Sequence, residues 1–141
     1  MSKFAVVYWS GTGNTEQMAN AVAEGIAAAG GQAEIFPAAD FGPDKVPEYE
    51  GLAFGCPSMG DEQLEEGEFE PMFSACRSKL GDKKIGLFGS YGWGDGAWMR
   101  TWEEDCRAAG ADLVAPGVIC EAAPDEQAAA ACRQLGAALA G

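Results

Sequence analysis

Histidine is absent from the 141 residues, and basic side chains are few: nine Lys and Arg stand against 22 Asp and Glu, a formal net charge of −13. Without histidine, the commonest metal ligand and the usual neutral-pH general base are gone. The acidic excess argues against nucleic acid, whose binding rests on cationic neutralisation of phosphates. It suits a basic protein partner steered by the long-range field, or solubility alone. The five cysteines (Cys56, Cys76, Cys106, Cys120 and Cys132) are odd in number and form no CxxC pair. They read as free thiols in a reducing compartment. No apolar stretch reaches the length of a membrane span. Met1-Ser2-Lys3 leaves no room for a signal peptide before the first strand. The expectation is a cytoplasmic protein that binds neither nucleic acid nor membrane.

What is present is a globular composition, 48% hydrophobic, in a length that suits one domain over residues 1–141. Apolar runs alternate with helical patterns. Strands are predicted at 3–9, 32–36, 51–56, 84–90 and 112–121, the last broken at Pro116-Gly117. Helices are predicted at about 14–29, 69–80, 97–109 and 125–139. Met18, Val22 and Ile26 recur every four residues and mark a buried stripe. Trp98 and Trp102, one turn apart, mark another. Residues 38–50, with Pro43 and Pro47, read as a loop with a short helical turn at best. Such alternation implies a doubly wound α/β fold, a five-stranded parallel sheet with helices on both faces. The strand order that fits is 2-1-3-4-5, a known arrangement whose ligand crevice lies between strands 1 and 3.

The first turn carries the chemistry. An apolar run, Phe4 to Trp9, leads into Ser10-Gly11-Thr12-Gly13-Asn14-Thr15, and a helix leads out. Backbone N–H groups of such a turn, with the unpaired ones of the helix's first turn, point at one spot. Ser10, Thr12 and Thr15 add hydroxyls and Asn14 an amide. No Lys follows, so it is not a nucleoside-triphosphate loop, and the third glycine of a dinucleotide fingerprint is missing. On the turn alone two readings stand: a cradle for one phosphate, and an ordinary β–α turn with Ser/Thr caps.

Tyr8 to Thr15 resembles the FMN-phosphate loop of flavodoxins. Cys56-Pro57-Ser58-Met59-Gly60-Asp61-Glu62 and Gly86 to Gly96 are similar to the flavin-ring loops of the short-chain, clostridial-type members. The resemblance implies FMN as cofactor, with Met59 and Trp93 on the two faces of the ring. Their chemistry agrees: Trp93 stands between Gly92 and Gly94 on a loop able to lie flat, and Met59 is soft and polarizable. The resemblance further implies that the Gly60–Asp61 peptide turns its carbonyl to flavin N5–H on one-electron reduction. It gives Glu62 the N3–H bond, and Ser90, Tyr91 and Gly92 the pyrimidine side. Asp61, Glu62, Glu65, Glu66, Glu68, Glu70 and Asp95 surround this region with acid. Two like charges ~10 Å apart repel by roughly 1 kcal/mol at an effective dielectric of about 20–40, so the acids disfavour adding electrons to the ring.

Two positions depart from the family pattern. Pro57 stands where many relatives have a serine donor to the phosphate, with Ser58 beside it. Cys120 stands where relatives often have an asparagine that bonds the flavin or its ribityl chain, and a thiol is a weak donor. The function implied is a low-potential one-electron carrier with non-covalently bound FMN. It is expected to be a monomer, not a catalyst alone, serving redox partners with basic docking faces: a reductase or ferredoxin-linked donor, and an acceptor enzyme. The alternative is an FMN-dependent NAD(P)H:quinone reductase on the same fold, although the chain has no insertion for nicotinamide. A flavin-free signalling domain would need a phosphoacceptor Asp after strand 1 or 3, where Trp9-Ser10 and Cys56-Pro57 stand.

Overall fold

A computed structural model describes residues 2–60, 62–92 and 94–141. Met1, Asp61 and Trp93 lie outside the described residues. The elements run β1 (Lys3–Tyr8), α1 (Asn14–Ala28), β2 (Gln32–Pro37), β3 (Gly51–Gly55), α2 (Phe69–Arg77), β4 (Lys84–Tyr91), α3 (Ala97–Ala108), β5 (Asp112–Leu113), β6 (Val118–Glu121) and α4 (Glu126–Ala140). Residues 38–50 hold two 3-10 turns, Ala38–Asp40 and Pro43–Glu48. The predicted second helix ends three residues early, where Lys79 and Leu80 turn back onto Cys76 and Arg77 by i→i+3 bonds.

All pairings along the sheet are parallel, in the order β2-β1-β3-β4-β5, as expected. The predicted break in the last strand is present. Its two halves, β5 and β6, flank Pro116-Gly117 and pair with opposite ends of β4. The Gly117 N–H, freed from the ladder, donates to Glu103 Oε2 at 2.7 Å.

Strand side chains alternate between two cores, because successive residues point to opposite faces. Val7, Leu52, Phe54 and Leu87 meet Phe69, Phe73, Trp98 and Trp102 of α2 and α3. Phe4, Val6, Ala53 and Phe88 meet Met18, Val22 and Ile26 of α1 and Leu135 and Leu139 of α4. Burial of the strands on both faces is what makes them read as continuous apolar runs. Asp125 caps α4, its Oδ1 accepting from the Ala128 N–H at 2.8 Å. Helices α1 and α4 touch backbone to backbone. A Cβ built on Gly25 would lie 1.9 Å from the Arg133 carbonyl oxygen, and one on Gly136 2.1 Å from that of Val22.

The five thiols are unpaired, and burial pushes Cys56, Cys106 and Cys132 up to about 12 and Cys76 up to about 11. These four buried thiols are neutral packing groups rather than nucleophiles.

Candidate cofactor site

Four loops leave the carboxyl ends of β1, β3, β4 and β6 on one edge of the sheet. They enclose a cleft of about 480 Å³. The loop after β1 is tied to itself: Gly13 N donates to Ser10 Oγ at 3.0 Å, and Asn14 N to Thr12 Oγ1 at 3.4 Å. Gly13 has φ +94°, a conformation that suits a residue without Cβ. As the residue preceding α1 it offers no side-chain cap. Beyond Asn14, the N–H groups of Thr15 and Glu16 in the helix's first turn are left for an anion.

The neighbouring loops are locked to this one. Thr15 Oγ1 and Ser90 Oγ, both buried, lie 3.3 Å apart and join the start of α1 to the end of β4. Ser58 N donates to the Ser90 carbonyl at 3.0 Å. Trp9, against whose indole Gly11 packs, donates its Nε1–H to Glu68 Oε1 at 3.0 Å.

The residues singled out in the sequence fall into three groups. Gly11, Thr12, Asn14, Pro57, Ser58, Met59, Ser90, Tyr91 and Gly92 line the cleft together. Ser10, Gly13 and Thr15 stand behind it and shape its wall. Gly60 and Glu62 flank it. Gly60, at φ +54°, lies in a turn that Met59 and Gln63 close with two backbone bonds of 2.8 and 2.9 Å. Asp61, the other half of the expected switching peptide, and Trp93, the expected stacking ring, lie outside the described residues.

Glu62 does more than a ligand contact requires. Its Oε1 accepts from Asp95 N at 3.3 Å and Ala97 N at 3.1 Å, so it caps α3 from another loop. It also fills the space beside Gly94, where a Cβ would come within 2.5 Å of Oε1. Oε2 accepts nothing among the described residues.

Cys120 stands apart from the other singled-out residues. On the short strand β6 it faces α1, with Sγ 3.7 Å from Met18 Sδ, and it does not line the cleft. Ala122 lines it instead, at φ +58°. A two-residue step keeps the parity of a strand, but the chain leaves β6 at Glu121 and turns Ala122 inward. Trp9, inside the first motif but given no role there, is a second cleft residue.

The acidic rim is partly organised. Glu65 accepts from the backbone N–H of Gly67, Glu68 and Phe69 at 2.6 to 2.8 Å and so caps α2. Burial pushes its carboxyl up, but the three donated bonds outweigh this and hold it below its ordinary value. Asp95 pairs with Arg100 at 3.1 Å.

An uncharged cradle at a helix N-terminus, opening on a cleft at the carboxyl ends of β1 and β3, suits a ligand with a single anionic end. The sequence profile of the flavodoxins matches residues 6–135. The chain belongs to the flavodoxin family. It is 46% identical to the flavodoxin of Clostridium beijerinckii over 121 residues, which is 86% of this chain and 88% of that one. To the flavodoxin of Megasphaera elsdenii it is 44% identical over 135 residues, 96% of each. The solution structure of the two-electron-reduced Megasphaera elsdenii flavodoxin superposes with a TM-score of 0.89, covering 97% of this chain and 98% of that one. Flavodoxins are electron-transfer proteins that carry FMN. The donor set fits that cofactor: hydroxyls, an amide and an uncapped helix start for one phosphate, with apolar Trp9, Met59 and Tyr91 along the same cleft.

Proposed function

We propose that the chain is one FMN-binding domain over residues 1–141. In this reading it is a low-potential one-electron carrier between redox enzymes, working as a monomer in the reducing cytoplasm, with no catalysis of its own. The observation that carries the reading is a cation-free cradle at the start of α1 that opens on a cleft lined by Trp9, Met59 and Tyr91. FMN supplies the one-electron steps. The chain holds and tunes it. Ser10, Thr12, Asn14 and the first N–H groups of α1 would hold the phosphate, with Gly11 and Gly13 letting the backbone approach. Met59 and Trp93 would cover the ring. The Gly60–Asp61 peptide and Oε2 of Glu62 would bond its edge, and Ser90, Tyr91 and Gly92 its pyrimidine side. Pro57 contributes shape and no donor, since proline lacks an N–H.

The carboxylates disfavour negative charge on the ring. Each 1 kcal/mol of that cost lowers a one-electron potential by about 40 mV, scaling from the two-electron relation. The same acids suit a donor and an acceptor with basic faces, a reductase or ferredoxin-linked protein on one side and an enzyme on the other.

The test is direct. Freshly purified protein is expected to be yellow, and acid to release FMN. NADH added alone should leave the flavin oxidised, whereas fast bleaching favours the quinone-reductase alternative. Release of FAD, or colourless protein that ignores added FMN, overturns the proposal.

A further inference from the structure

The loop that brings Pro57, Ser58 and Met59 to the cofactor cleft leaves the sheet at Cys56, just past β3, and reaches the start of α2 at Glu65. Both ends are held. Cys56 N donates to the Phe88 carbonyl at 3.1 Å and Ser58 N to that of Ser90 at 3.0 Å, so the outgoing chain follows β4. At the return, the Glu65 carbonyl accepts from Glu70 N at 2.9 Å while its carboxylate caps α2. Between the ends, the backbone pairing of Met59 with Gln63 ties the loop only to itself.

Cys56 joins the two ends. The Glu65 N–H, nine positions on, donates to Cys56 Sγ at 3.3 Å. The thiol in turn faces the Pro57 carbonyl at 3.5 Å, and the Cys56 carbonyl accepts from Trp98 Nε1–H at 3.2 Å. One fully buried residue thus holds the start of the loop, its end and α3. Burial pushes the thiol up to about 12, so it keeps its proton at neutral pH, donating toward Pro57 while a lone pair accepts from Glu65. Cys76, buried in the same core, has only Met72 Sδ as a partner among the described residues, at 3.8 Å.

Sulfur is a weak acceptor, but a partly buried N–H left with no partner costs more than the bond itself gains. Removing the sulfur therefore frees the loop at its base. We propose that Cys56 is a positioning residue for the cofactor: its sulfur closes the loop over residues 56–65 and so fixes Ser58 and Met59 in the wall of the cleft. The proposal rests on the FMN-carrier reading above and adds to it the group that orders this wall in advance. A wall ordered before binding loses less freedom when the flavin arrives. It also discriminates among oxidation states of the ring, whereas a loose wall adapts to each alike.

The experiment compares the wild-type holoprotein with Cys56→Ala, Cys56→Ser and Cys76→Ala. NMR reads amide hydrogen exchange, flavin fluorescence reads FMN dissociation, and a spectroscopic titration reads the two one-electron potentials. In Cys56→Ala the Glu65 N–H should exchange about fivefold faster and FMN should bind about fivefold more weakly, the factor that one ordinary hydrogen bond corresponds to. Both potentials should move toward those of free FMN. Serine keeps a donor and an acceptor, so Cys56→Ser should restore most of the protection and the affinity. Cys76→Ala removes the same atom from the same core, and should lose stability while Glu65 exchange, affinity and potentials stay at wild type. Equal changes in Cys56→Ala and Cys76→Ala, or no recovery in Cys56→Ser, overturn the proposal. Should Cys56→Ala fail to fold, the wild type decides: a Glu65 amide that exchanges as fast as that of Glu66, whose N–H has no partner among the described residues, overturns the proposal, and a protected one supports it. Failure of the carrier reading shows separately, as wild-type protein that binds no FMN, and Glu65 exchange in the variants still decides whether Cys56 closes the loop.

Discussion

Trp9 and Glu68, 59 positions apart, meet through a 3.0 Å bond from the indole N–H to the carboxylate. One is the last residue before the phosphate loop, and the other immediately precedes α2. The bond ties a wall of the cofactor cleft to the start of α2. Trp9→Phe keeps the aromatic area and removes the donor. It is expected to lower unfolding free energy by about 0.5–1.5 kcal/mol and to weaken FMN severalfold. Urea titration and flavin quenching measure the two. Glu68→Gln retains an acceptor and should stay near wild type.

Glu65 gives a pH signature. Its folded-state pKa is depressed, so the stability it confers is present above the unfolded value, about 4.3, and is lost as pH falls through the folded value. Glu65→Ala should cost about 0.5–2 kcal/mol at neutral pH, the scale of a lost helix cap. The gap from wild type should narrow as thermal unfolding is repeated at progressively lower pH. A gap constant with pH would show that the carboxylate is not what stabilises α2.

Gly60 has open space around it: the nearest atom to a built Cβ is Gln63 Nε2 at 3.8 Å. The cost of Gly60→Ala is therefore conformational, roughly 1–2 kcal/mol for an L-residue held in the left-handed region. It falls on the turn already at φ +54°, so the variant should bind FMN more weakly as well as alter redox behaviour. A spectroscopic redox titration should show the two one-electron potentials drawn together by tens of millivolts, a shift of the size that about 1 kcal/mol produces. Gly60→Pro should do more, since its φ is fixed near −65°. Identical titrations for wild type and both variants would make Gly60 an ordinary turn residue.

The contact of α1 with α4 tolerates no side chain. Gly136→Ala drives a methyl into the Val22 carbonyl and should cost about 1–3 kcal/mol or more. Gly42→Ala, where nothing lies within 4 Å and the backbone is extended, is the matched control and should be within error of wild type. Melting temperatures of the pair decide it.

Thiol labelling should single out one residue. Cys120 is half-exposed while the other four are buried. Iodoacetamide at mildly alkaline pH should therefore modify Cys120 first, and peptide mass mapping identifies the site. Modification of Cys56 at a comparable rate would mean that the loop after β3 opens readily.

Much of this was legible in the chain because the signals were local. The apolar runs, the four-residue spacing of Met18, Val22 and Ile26, and the glycine turns each depend on neighbours in sequence. Pro116-Gly117 announced the broken strand, since proline cannot donate to a ladder. What escaped depended on long-range geometry. Ala122 rather than Cys120 reaches the cleft because the strand is left at Glu121, and composition does not record where pairing stops. Glu62 looked like a ligand residue and is also the cap of a helix 35 residues away. The acids at 62–70 read as a charged surround, and only the folded loop makes Glu65 the cap of α2 through three donated bonds.

The interrupted strand has one more consequence. A sheet ends in two rows of unpaired backbone groups, and a long flat edge invites a second copy to add its own strand. Here one margin is made of pieces two and four residues long, separated by Pro116-Gly117. The other margin, β2, ends in Pro37 and carries Glu34 within it. The broken margin offers no continuous template to another molecule. The proline that shortens the ladder thus leaves a second copy no unbroken row to pair with on that margin, and Pro116→Val should show the difference as concentration-dependent light scattering.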